Sequence, residues 1–81
     1  RLPPEVEAEI EAQVLSTPCV QGIHQLRTRS IGRCYAIELC ILVDGYISVT
    51  SGHDITLAIE QGLRERYGDH TYITIHVEPA S

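Results

Sequence analysis

Hydrophobic residues recur at two different spacings along this chain, and the change of spacing predicts its secondary structure. Val6, Ile10 and Val14 recur every four residues, which is typical of an amphipathic helix. The Pro3–Pro4 pair suits a helix start, and Pro18 stops the helix. The same segment carries four acidic residues outside that row, at the end of the helix where its dipole favours them: Glu5, Glu7, Glu9 and Glu11.

The middle of the chain loses the helical period and predicts two strands. Residues 34–43 (CYAIELCILV) alternate strictly, with large apolar side chains on one face and Cys34, Ala36, Glu38 and Cys40 on the other. Residues 20–30 precede this run, and a turn around Ser30–Arg33 that contains Gly32 predicts a hairpin. Asp44-Gly45 then turns the chain.

A second helix and a last strand follow. Ser51 and Asp54 fit a capping box, although Ser48 is a possible cap one turn earlier. The apolar row of this helix repeats every four residues and ends before Gly68, which suits a C-terminal cap: Ile55, Ile59, Leu63 and Tyr67. Residues 71–78 alternate again and predict a strand with Ile73, Ile75 and Val77 pointing inward, ended by Pro79.

The predicted order is α-β-β-α-β. Because both helices carry one apolar row and the strands one apolar face, the helices must cover one side of the sheet. We therefore predict an α+β fold, a two-layer sandwich of a three-stranded mixed sheet with two helices on one face, related to ferredoxin-like folds. The 81 residues form a single domain, residues 1–81. The chain begins at Arg1 and has no Met, so we expect it to be part of a longer protein.

Composition excludes several classes of function. The net charge is −5, Lys is absent and the arginines form no basic patch, which argues against nucleic-acid binding. Three cysteines without a C-x-x-C pair argue against a disulfide framework and indicate a reducing compartment. No apolar run reaches the ~20 residues needed to cross a bilayer, so we expect no membrane insertion of this segment. The common catalytic motifs are absent as well, so we expect no enzyme.

Candidate metal ligands lie on the strand face that the helices leave uncovered. Alternation places Cys40, His76 and Glu78 there. His24 is in phase with Leu26 and Thr28, so the pattern does not decide on which face it lies. Two imidazoles, a thiolate and a carboxylate together suit a tetrahedral Zn²⁺ site. Taken singly, each has a plainer interpretation: surface histidines, a small buried cysteine and a solvated strand end. The simplest interpretation of His53 and His70 is that they are polar residues at the ends of their elements. Cys19 and Cys34 are most simply structural or incidental.

Several motifs in register resemble one protein family. Residues 20–32 (VQGIHQLRTRSIG) resemble the V-x-G-x-H-D-L-R-x-R…G signature of the cytoplasmic domain of cation diffusion facilitators. His53-Asp54-Ile55, Ile59-Glu60 and residues 73–79 (ITIHVEP) are similar to the second half of that pattern, H-x-I…I-E…V-x-I-H-V-E-P. The resemblance extends over nearly the whole chain, in order and with compatible spacing.

The resemblance implies a fold, a location and a function. Members of the family are membrane transporters that export Zn²⁺ and related divalent ions, commonly in exchange for protons. Their metallochaperone-like cytoplasmic domains form homodimers, and metal bound near the dimer interface draws the two domains together and favours transport. It therefore implies a homodimeric regulatory domain at the cytoplasmic face of a membrane, attached to the transmembrane domain of its transporter. The ligands that it implies are His24, Cys40, His53, His76 and Glu78, with His53 facing a metal shared with the neighbouring subunit.

Two residues depart from the family pattern. Cys40 stands where His is expected, which favours Zn²⁺, admits Cd²⁺ or Cu⁺ and weighs against Mn²⁺ and Fe²⁺. Gln25 replaces the usual Asp, so a carboxylate that would orient His24 is missing. Two alternatives to the regulatory domain stay open: a free-standing cytoplasmic homologue that buffers or carries metal, and a dimerisation module without a working metal site.

Overall fold

The computed structural model describes residues 1–80, which form two helices and three strands in the predicted order. The elements are α1 (Pro4–Leu15), β1 (Gly22–Ile31), β2 (Cys34–Val43), α2 (Val49–Tyr67) and β3 (Tyr72–Pro79). Within residues 1–80, no helix combines the length and hydrophobicity that a membrane span requires.

The three strands form one mixed sheet in the order β1-β2-β3. β1 and β2 pair antiparallel through the expected hairpin, where Gly32 adopts a φ of 61° that a residue with a side chain rarely takes. β3 pairs parallel with β2, because α2 carries the chain back to the same end of the sheet. The predicted mixed α+β sandwich is therefore confirmed.

The core lies between the helices and one face of the sheet. β2 contributes four consecutive inward positions that are at most 3% exposed: Ile37, Leu39, Ile41 and Val43. The helices contribute the rows that the four-residue spacing predicted, including Ile10 and Val14 from α1 and Ile59 and Leu63 from α2. The opposite face of the sheet, which we call the open face, carries Glu38, Cys40 and Leu42 of β2.

Two details at the start of α2 and in β3 differ from the expectation. Ser48 caps α2 rather than Ser51, because its hydroxyl accepts the backbone N–H of Ser51 at 2.9 Å. Val77 projects to the helix side as expected, since it pairs with the core residue Ile41, yet it is 41% exposed. It lines a cavity that the first turn of α2, at Gly52, does not fill.

One acidic residue assigned to the outer side of α1 is buried. Glu7 is only 7% exposed because its carboxylate accepts hydrogen bonds from the Thr28 hydroxyl and from the Arg1 guanidinium, the latter at 2.6 Å. The Thr28 oxygen in turn accepts the backbone N–H of Leu2 at 3.0 Å. This network joins the start of α1 to β1.

Candidate metal centre

Three potential ligands occupy one row across the open face of the sheet. Cys40 on the central strand pairs with His24 on β1 and with His76 on β3. Residues that pair directly across a sheet project from the same face, so all three side chains leave the sheet on the uncovered side. Glu78 pairs with Leu42, the next residue on that face, and therefore lies one position further along.

A β-bulge places His24 in this row. From His24 to Arg27, β1 advances by three residues, whereas the paired segment of β2, from Cys40 to Glu38, advances by only two. The extra residue inverts the alternation, so His24 lies on the open face while Thr28 lies on the helix side, opposite Ile37. Gln25 makes the bulge possible with a φ of 58°. This explains why simple alternation left the side of His24 undecided.

Three of the five predicted ligands come together in space. One nitrogen of His24, the sulfur of Cys40 and one carboxylate oxygen of Glu78 lie within 4.8 Å of one another. His24 Nε2 and Glu78 Oε1 are 3.3 Å apart. Imidazole, thiolate and carboxylate are the donor types that hold Zn²⁺ at about 2.0–2.3 Å, and donors bound to one ion are separated by little more than 3 Å. The residues therefore fit a divalent cation after small side-chain movements.

Cys40 is enclosed although no helix covers it. Its exposed fraction is 2% on the open face, where the paired histidines flank it on both sides. This burial raises the pKa of the Cys40 thiol, and the nearby Glu78 carboxylate raises it further. The thiol is therefore protonated at neutral pH, and a cation that binds here must displace that proton.

His76 lies beside the cluster and is not a member of it. Its Nε2 atom contacts Glu38 Oε2 at 3.3 Å, and both side chains are about half exposed. Glu38 is two residues before Cys40 on β2, toward the end of the sheet away from Glu78. Cys40, Glu38 and His76 all line a small cavity of about 140 Å³.

His53 lies outside this row, on α2. It lies in the first turns of α2, is exposed, and lines a cavity of about 430 Å³ to which Glu78, Val77 and Asp44 also contribute. The cavity is thus shared by His53 and one member of the cluster. Within the chain, His53 does not reach the three clustered donors.

Two residues near the site were not selected from the sequence. Glu38 was placed on the face of Cys40 by alternation, but no motif marked it as a partner of His76. Gln25 was noted only as a missing carboxylate, whereas its backbone conformation determines where His24 points. The signal was available, because the Asp of the family signature belongs to the residue types that tolerate a positive φ.

Comparison with known proteins identifies related domains. The family model for the cytoplasmic domain of cation efflux proteins matches residues 2–80. The cation-efflux pump FieF of Pectobacterium atrosepticum is 32% identical over 80 residues, which are 99% of this chain and 26% of that protein. This chain therefore spans about a quarter of the length of that relative.

Two solved structures share the fold over almost the full chain. The Zn form of CzrB, described as a zinc transporter, is 30% identical with a TM-score of 0.87, covering 98% of this chain and 90% of that one. The cytosolic domain of a cation diffusion facilitator family protein is 37% identical with a TM-score of 0.85, covering 94% and 90%. This chain belongs to the family of cation efflux protein cytoplasmic domains, those of the cation diffusion facilitators.

Proposed function

We propose that this domain binds Zn²⁺ at His24, Cys40 and Glu78 and acts as the regulatory domain of a divalent-cation efflux transporter. The observation that carries the proposal is the convergence of these three donors within 4.8 Å on the open face. They come from three different strands, so their meeting depends on the whole sheet. Membership of a cation efflux family supports the proposal, because the domains of that family belong to cation efflux proteins.

The donor set favours Zn²⁺. A thiolate with an imidazole and a carboxylate is a borderline-soft set, which suits Zn²⁺ and leaves room for Cd²⁺ or Cu⁺, while Mn²⁺ prefers oxygen ligands. The related CzrB domain has been solved in a Zn form, which supports the same metal here. Tetrahedral Zn²⁺ needs a fourth ligand, and His76, paired directly with Cys40, is the nearest predicted candidate.

The second part of the proposal is a homodimer that closes when it binds metal. The family model is named for a dimer, and no helix or strand within residues 1–80 covers the open face that carries the cluster. His53 and Glu78 line one cavity, so they can complete a second cation position with ligands of a neighbouring copy. A cation that binds the closed pair more tightly than the open one shifts the equilibrium by that difference in affinity.

Replacement of Cys40 tests the metal site. We expect Cys40→Ser to weaken Zn²⁺ binding by at least about tenfold, since even changes behind a ligand cost about 10–100-fold in affinity. The fold should persist because serine is similar in size. Isothermal titration calorimetry with Zn²⁺, Cd²⁺ and Mn²⁺ measures both affinity and selectivity, and Cys19→Ser, at an exposed position outside the cluster, is the matched control.

Two results would contradict the proposal in different ways. Equal Zn²⁺ affinities for Cys40→Ser and the unmodified chain would remove Cys40 from the site. No Zn²⁺ binding by the unmodified chain would leave a dimerisation module as the better interpretation. The role in transport has its own test: hydrophobic membrane spans encoded upstream of Arg1 support a transporter domain, and their absence supports a free-standing metal carrier.

A further inference from the structure

We infer that Glu38 is a positioning residue that holds His76 away from the cation cluster until a cation binds. The inference rests on the proposed metal site and adds a residue to it that the family pattern does not contain. It concerns the pair formed by His76 Nε2 and Glu38 Oε2, which are 3.3 Å apart.

The backbone places His76 where it can serve either partner. His76 pairs directly with Cys40, so its Cβ projects next to the thiol on the open face. The neighbouring positions on β2 are Glu38 on one side and Leu42 on the other, and Glu78 pairs with Leu42. Rotation of the imidazole about its side-chain bonds therefore decides between contact with Glu38 and contact with the cluster.

In this structure the ring is turned toward Glu38. Glu38 pairs with Thr74, so this contact draws the imidazole in the direction opposite to Glu78. The three clustered donors are His24, Cys40 and Glu78, and His76 is not among them. A cavity of about 140 Å³, lined by Glu38, Cys40 and His76, lies beside this contact and offers the ring space to move.

The physical consequence is a competition. Binding of a cation with four protein ligands requires the His76–Glu38 contact to break. The free energy lost with that contact makes cation binding weaker. Both side chains are about half exposed, at 59% and 49%, which puts the pair in the weak class of surface ion pairs. Its loss corresponds to about a two- to fivefold change in affinity. Glu38 thus adjusts the cation concentration at which the domain responds.

A variant that shortens residue 38 without removing its charge provides the test. Glu38→Asp retains the negative charge near the cation but loses the reach to His76 Nε2. We expect it to bind Zn²⁺ about two- to fivefold more tightly than the unmodified chain. Glu11→Asp, at an exposed position on α1, is the matched control and should leave the affinity unchanged.

Nuclear magnetic resonance of the metal-free chain gives a readout that does not depend on metal affinity. We expect nuclear Overhauser effects between the His76 ring and the Glu38 methylenes without metal, replaced by effects to the Cys40 methylene when Zn²⁺ is added. Glu38→Asp should average the χ1 couplings of His76 in the metal-free chain and leave those of His24 unchanged.

Each negative result refutes a different statement. Zn²⁺ binding by Glu38→Asp that is equal to or weaker than that of the control would overturn the competition. Persistence of the His76–Glu38 contacts in the Zn²⁺-bound chain would overturn it as well. If the unmodified chain binds no Zn²⁺, the proposed function fails, while the metal-free spectra still decide whether Glu38 holds the His76 ring.

Discussion

At the scale of single residues, the backbone conformation of Gln25 determines on which face of the sheet His24 lies. The Gln25 φ of 58° lies in the left-handed region, which costs an ordinary residue roughly 1–2 kcal/mol. This conformation creates the bulge that turns His24 onto the open face. A single strained residue therefore determines whether His24 joins Cys40 and Glu78 in the three-donor cluster.

Substitutions at Gln25 should change stability in opposite directions. We expect Gln25→Gly to stabilise the domain by up to about 1 kcal/mol, because relief of the left-handed strain outweighs the added freedom of the unfolded chain. Gln25→Val should destabilise it by roughly 1–2 kcal/mol, since a β-branched residue is poorly tolerated at positive φ. Urea unfolding measures both.

The Gln25→Val variant should also bind Zn²⁺ more weakly, because removal of the bulge would return His24 to the helix side of the sheet. Gln21→Val is the control, at an exposed position without a positive φ. Unchanged stability and unchanged Zn²⁺ affinity in Gln25→Val would show that the bulge does not depend on this residue.

At the scale of elements, the sequence predicted most of what alternation and helical spacing can encode. The strict pattern of 34–43 placed Cys40 opposite the core-facing row of Ile37, Leu39 and Ile41, as the structure shows. The same reasoning left the side of His24 on β1 undecided, because a bulge changes the phase without any change in composition. It also gave no sign that Glu7 is buried, since helical spacing predicts the direction of a side chain and not its hydrogen-bond partners Thr28 and Arg1.

Glu7 links α1 to the sheet through an ionised carboxylate. Hydrogen bonds from Thr28 and then from Arg1 lower the pKa of Glu7 below the value usual for a glutamate. The unfolded chain therefore binds a proton at Glu7 more readily than the folded chain does. The stabilisation is complete above the ordinary glutamate pKa, about 4.3, and is lost as the pH falls through the lowered pKa of the folded state.

Glu7→Gln should remove this part of the pH dependence. We expect the variant to be less stable than the unmodified chain at pH 7, with the difference shrinking as the pH falls below about 4.3. Urea midpoints measured from pH 7 to pH 3 test the expectation, and Glu5→Gln on the exposed side of α1 is the control. A constant difference between Glu7→Gln and the unmodified chain across that range would show that Glu7 does not titrate in this way.

At the scale of the whole molecule, a group of exposed apolar side chains lies at the end of the sheet that carries Glu78. Tyr46 and Val49 are 99% and 91% exposed in and after the turn that follows β2, and Val77 is 41% exposed nearby on β3. Val49 and Val77 line the same cavity as His53 and Glu78. Large apolar side chains that are exposed together, here near the three clustered donors, are typical of an interaction surface. Association also gives a chain this small a larger buried core.

We expect Zn²⁺ to promote dimers through this end of the molecule. Sedimentation velocity with and without Zn²⁺ should show a shift from monomer toward dimer, because a cation shared between two copies is bound only when they meet. Val49→Ser should weaken this shift by removing apolar contact area, whereas Leu57→Ser, at a half-exposed position further along α2, should not. The opposite result, in which Val49→Ser dimerises as readily as the unmodified chain and Leu57→Ser does not, would place the contact on the helical side. Zn²⁺ bound at the open face would then have to act on dimerisation from a distance.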